Sequence, residues 1–152
     1  MSGSRRDELI AGLYALPLAE FTSARDALSK EFRGDGDREL ANEVKALRKA
    51  SVTAWAVNCV RNRDPARIDA LLEAGASLRA AQEQVMGSGD RSVLRDASAR
   101  ERELVEVLVD AATAELEASG HAATAAIRGR VFGTLHAAVG DQEVRALLAA
   151  GC

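Results

Sequence analysis

The sequence predicts an all-α fold, a compact bundle of six to eight helices with one long central helix. Three observations carry that expectation. Apolar residues recur every three to four positions along most of the 152 residues, which is the period of an amphipathic helix. Asp37, Ser51, Asp64 and Asp141 stand just ahead of such runs, where a side-chain oxygen can accept from a free N–H of the first turn. Alanine fills 31 positions, while aromatic residues number five and prolines two. That composition favours helices and disfavours a sheet.

The elements follow in order. Leu9, Leu13 and Leu16 give a short first helix over 5–15, with Asp7 and Glu8 in its first turn, where the helix dipole favours acids. Pro17 restarts the chain into a second helix over 18–33, carried by Leu18, Phe21, Ala24, Leu28 and Phe32 and stopped at Gly34-Asp35-Gly36. Asp37 opens a third helix with Leu40, Val44 and Leu47 inward. Ser51 caps a fourth, over 52–62, in which Val52, Trp55, Ala56, Cys59 and Val60 share one face and Ser51, Ala54, Asn58, Arg61 and Asn62 the other. On that wheel Trp55 is expected inside, against Phe21 or Leu47.

Asp64-Pro65 starts a fifth helix through Ile68, Leu71, Leu72, Ala76 and Leu78 toward Val85, with Gly75 as a weak point. Gly87-Ser88-Gly89 ends it. The stretch 87–89 is also the expected hinge if the single domain 1–152 divides into two helical subdomains, 4–86 and 90–150. The long sixth helix covers 92–118, with Val93, Ala97, Leu104, Val107, Leu108, Ala111 and Ala112 inward and Val105, Val109 and Leu116 widening the stripe. A seventh, over 123–138, buries Ile127, Val131, Leu135 and Ala138, and its Gly129 and Gly133 suit a close helix crossing. Asp141 caps a last short helix with Val144, Leu147 and Leu148.

Charge and cysteine content narrow the function classes. The net charge is −3. Residues 1–63 carry 11 basic and 9 acidic side chains and residues 64–152 carry 9 and 14. Neither half is a basic nucleic-acid arm or an acidic tail. No leading apolar run is long enough for a signal peptide or a membrane span, so a cytoplasmic setting is expected. Cys59 falls on an apolar helix face and Cys152 is the last residue, which gives no disulfide framework.

The segments LYALPLAEFTSARDAL (13–28), GDRELANEVKALRK (36–49) and SVTAWAVN (51–58) resemble a family of small conserved actinobacterial proteins of uncharacterised function. The family pattern has proline ahead of the Ser-Val pair, where this chain has Ala50. The resemblance implies a cytoplasmic bacterial setting and supplies no catalytic or binding residue.

Few constellations suggest chemistry. His121, His136, Cys59 and Cys152 lack metal-ligand spacing, and no glycine-rich phosphate loop or nucleophile–base pattern stands out. No catalytic residue, metal or cofactor is therefore expected, and an enzyme is the less favoured class. Arg100, Glu115 and Arg128 fall near inward arcs of their helices, which implies buried ion pairs or a polar pocket. The wide stripe at Val105, Val109 and Leu116 suggests a protein-interaction or structural module that self-associates or docks a protein partner. The alternative is nucleic-acid binding by a helix-turn-helix-like pair at about 38–62. There Ser51, Asn58, Arg61 and Asn62 would read bases, and Arg38, Lys45 and Lys49 would touch phosphates.

Overall fold

A computed structural model describes residues 3–141. Among these residues there are seven α-helices and no strand. The helices are α1 (Gly3–Ala15), α2 (Leu18–Gly34), α3 (Arg38–Ala46), α4 (Val52–Arg63), α5 (Pro65–Ser88), α6 (Ser92–Ala118) and α7 (Ala125–Gly140). The chain forms two compact units, Met1–Trp55 and Ala56–Cys152. The division falls inside α4, whereas the sequence suggested 87–89. The turn at 87–89 instead reverses the chain within the second unit, where α5 and α6 pack on one another. The short helix expected after Asp141 lies outside the described residues.

The first unit is built from short helices around an aromatic centre. Leu13, Phe21, Phe32, Leu40, Ala41 and Val44 are buried together, with Tyr14 and Leu28 packed beside them. Phe21 and Tyr14 rings meet at 5.2 Å. The α2–α3 connection is tight because Gly36 takes φ +88°, a conformation that costs other residues a Cβ clash. That geometry lets Asp37 N–H donate to Phe32 O at 2.9 Å and Gly36 N–H to Arg33 O at 3.2 Å, which satisfies carbonyls a helix end leaves free. Asp37 then caps α3 by accepting from Leu40 N–H at 3.0 Å.

Side chains also bond to main chain across this unit. Buried Ser29 donates to Ala41 O at 2.7 Å, Arg25 to Leu47 O at 3.0 Å and Tyr14 to Arg48 O at 3.1 Å. Trp55 is buried, as its wheel position predicted. Its indole N–H donates to Leu16 O at 2.8 Å. Leu47 is extended (ψ 132°) and starts the non-helical link to α4. Ser51 Oγ accepts from Ala54 N–H at 3.1 Å and opens the helix.

The second unit relies on long helices and aliphatic side chains. Asp64 caps α5 by accepting from Arg67 N–H at 3.4 Å. Pro65 follows at the first helical position, where its missing N–H leaves no bond unmade. Val57, Val60, Ile68, Leu108, Ala112 and Leu135 converge, so the later turns of α4 meet α5, α6 and α7 in one core. Each such Leu, Ile or Val contributes about 1.5–3 kcal/mol by leaving water. Gly75 does not break α5. A Cβ there would stand 3.1 Å from Val139 Cγ1, so the missing side chain lets α7 lie close. Arg79 donates to Val139 O at 2.6 Å and satisfies a carbonyl at the end of α7. Between α6 and α7 Gly120 takes φ +80°, and His121 N–H returns to Leu116 O at 2.9 Å.

The inward arc of α6 is rotated from its expected phase. Glu101, Val105, Leu108, Val109, Ala112 and Leu116 are buried, while Val93 and Val107 are exposed. Val105, Val109 and Leu116 form the centre of the stripe, not its margin. In α7, Val131, Leu135 and Ala138 are buried as expected, with Val139 beside them, and Ile127 is half-buried.

Candidate functional site

Three sets of side chains were singled out by sequence, and the fold separates them. Val105, Val109 and Leu116 are buried within the chain, so they offer no surface to a partner. The helices that cover them are the chain's own, since α6 packs against both α5 and α7.

Of the polar inward candidates, no two pair with each other. Glu115 bonds Arg63 at 2.9 Å. Arg128 is paired with Asp110 and lies 3.4 Å from Thr113 Oγ1. Arg100 is exposed. Of the two expectations, ion pairs or a polar pocket, Glu115 and Arg128 each form an ion pair, with partners other than the expected ones, and Arg100 is exposed. Arg63 and Glu115 also bracket Cys59. Burial pushes the Cys59 thiol up, the Glu115 carboxylate adds to that shift, and Arg63 opposes it. Such a thiol is a poor nucleophile.

The nucleic-acid set is broken at its centre. Asn58 is 3% exposed, so its amide cannot reach a base edge. Arg61 is half-buried, and Ser51 Oγ is engaged in capping. Lys45 is bound to Asp26 at 2.8 Å. Arg38, Lys49 and Asn62 are exposed, but they flank a helix that buries Trp55, Ala56, Val57, Asn58 and Val60 in near succession. Four consecutive buried residues span most of a helix circumference. The polar side read from the wheel is thus largely covered.

A further surface feature lies between α6 and α7. Their packing is antiparallel, with Glu101 opposite His136 and Asp110 opposite Arg128. A groove of about 430 Å³ between them is lined by Glu106, Val109, Asp110, Arg128, Gly129 and Phe132 among others. Phe132 is 41% exposed. On the α7 wheel, Ala126, Gly129, Gly133 and Ala137 share the solvent side, all exposed, with Phe132 and His136 along one margin. Around Gly129 and Gly133 a Cβ would meet nothing within 4 Å. The close crossing expected there within the chain occurs at Gly75 instead.

At the same end, the buried Glu101 carboxylate lies 3.0 Å from His136 Nδ1. This pair was not read from sequence, because its members are 35 positions apart and only tertiary packing brings them together. No group of three or more metal-ligating side chains occurs among the described residues. No helix among them is long and apolar enough to cross a membrane. Neither a family model, a curated protein nor a solved structure matches the chain.

Proposed function

We propose that this chain is a non-catalytic helical interaction module that associates with a protein partner, in the first instance a second copy of itself, through the outer face of α7. The observation that carries the reading is the exposure of Phe132 beside Gly129 and Gly133 on the outer side of α7, a strip of small residues that Arg130 and His136 flank. The open space around Gly129 and Gly133 allows another helix to approach closely. Glu106 and the Arg128–Asp110 pair stand beside Phe132 as a polar rim, the usual division of an interface. A two-fold pair is the commonest way for one surface to cover itself, and it should bury at least about 1,000 Å². The cytoplasmic setting and the actinobacterial relationship belong to the same proposal.

Light scattering over a concentration series tests it. The expected result is a mass rising toward twice that of the chain, and a Gly133→Arg variant that stays at the single-chain mass with an unchanged helical spectrum. A wild-type mass that stays at one chain across the series would remove self-association.

A further inference from the structure

The groove between α6 and α7 and the exposed ring of Phe132 are neighbours. The α7 residues that line the groove run from Ala125 to Phe132, so the ring stands at one end of it. Val109, Ala125 and Gly129 supply its apolar wall. The groove stays open because Ala125 is small and a Cβ at Gly129 would meet nothing within 4 Å. Two of its charges are already matched, since Arg128 pairs with Asp110, and Glu106 remains at the rim. Such a lining favours an uncharged apolar occupant, and the positive edge of an aromatic ring suits a carboxylate at the rim.

Phe132 is itself held ready. It stacks on the His136 imidazole with centroids 5.8 Å apart and 12° between the planes. That imidazole is tied in turn to the buried Glu101 carboxylate at 3.0 Å. A ring fixed in advance loses less freedom on burial than a mobile one.

Symmetry selects the occupant. A two-fold axis between two antiparallel helices keeps corresponding side chains on the same flank of the pair. Ala125, Arg128, Gly129 and Phe132 fall within about 100° of one another on the α7 wheel, so ring and groove share one flank. With the axis between Gly129 and Phe132, the ring of each copy lies over the groove of the other. A knob beside a hole on one flank is what a copy of this chain requires, whereas an unrelated partner would use only one of them. Given the association through α7 proposed above, we infer that each copy seats its Phe132 in the groove between α6 and α7 of the other, in an antiparallel register. Each seat is built by two helices of one copy and completed by the ring of its partner.

Two variants and their mixture test the seat. Ala125→Leu fills the groove from an exposed position off the Gly129–Gly133 strip, and Phe132→Ala removes the ring. Each alone should associate about tenfold or more weakly than wild type in light scattering, with an unchanged helical spectrum. An equimolar mixture restores one intact ring opposite one open groove. It should form a mixed pair several-fold tighter than either like pair, identified by its mass in native mass spectrometry. If Ala125→Leu loses its helical signal, Gly129→Leu takes its place as the groove filler. A wild type that associates, with Ala125→Leu undiminished or with mixed pairs no more abundant than random pairing of the two variants, would overturn the seat and leave association through α7 standing. A wild-type mass of one chain across the series would remove both.

Discussion

Of the five aromatic residues, Tyr14, Phe21, Phe32 and Trp55 belong to the first unit, and Phe132 alone belongs to the second. Phe21, Phe32 and Trp55 are buried, while Phe132 is not. The first unit thus fills its centre with rings and ties short helices together by side-chain bonds to main chain, from Ser29, Arg25, Tyr14 and Trp55. The second unit has no buried ring among the described residues. It closes instead by laying two helices of 24 and 27 residues along each other and bringing α7 in over a glycine. The difference teaches where each is vulnerable. Short helices cannot stand alone and depend on a few specific bonds. Long aliphatic interfaces depend on shape, and an exposed ring among them is out of pattern.

The largest expected effect breaks the first unit. Trp55→Ala removes a buried ring and leaves Leu16 O without its indole donor, which should cost about 3–5 kcal/mol. Denaturant unfolding followed by circular dichroism measures it. A loss below about 1 kcal/mol would mean that the site relaxes around the gap.

The next effect sharpens the account of the second unit through the sign of glycine substitutions. Gly75→Ala should destabilise by about 1 kcal/mol despite alanine's better helix propensity, because the added Cβ meets Val139. Gly129→Ala should instead stabilise by about 0.5–1 kcal/mol, since its Cβ enters open space. Urea midpoints at dilute protein compare the two.

The smallest effect is electrostatic. In the first unit, bonds from Lys45 and then Arg25 hold the Asp26 carboxyl below its ordinary value. In the second, the backbone N–H and hydroxyl of Ser92 do the same for Asp90. Both pKa values are lowered on folding, so each contribution is present above the unfolded value and is lost as pH falls through the folded one. Salt separates them. At about 1 M the screening length is near 3 Å, so the Asp26 value should climb back toward the ordinary one, while that of Asp90 stays. Carboxyl carbon shifts followed against pH at two salt concentrations give both.

Much of this architecture was legible locally. The caps at Asp37, Ser51 and Asp64 depend on residues three apart, and the start of α6 is marked by the glycine turn at 87–89. The phase of α6 was not legible. Alanine, valine and leucine occupy so much of its circumference that only the neighbouring helices select Val105 over Val107 as inward. The α4 wheel misled for a related reason. Asn58 is polar, so its side of the helix read as solvent, yet it is buried. The Glu101–His136 pair and the Gly75 contact join residues far apart in the chain, and local spacing carries no sign of either.

A buried stripe on α6 contrasts with an uncovered face on α7, and sedimentation equilibrium of Phe132→Glu beside wild type tests that contrast. Leu116→Glu, which places a charge in the core, serves as the unfolding control. The prediction is a wild-type chain that associates, a Phe132→Glu variant that sediments as one chain with its helical signal intact, and a Leu116→Glu variant that loses that signal. A Phe132→Glu variant that associates as strongly as wild type would contradict it.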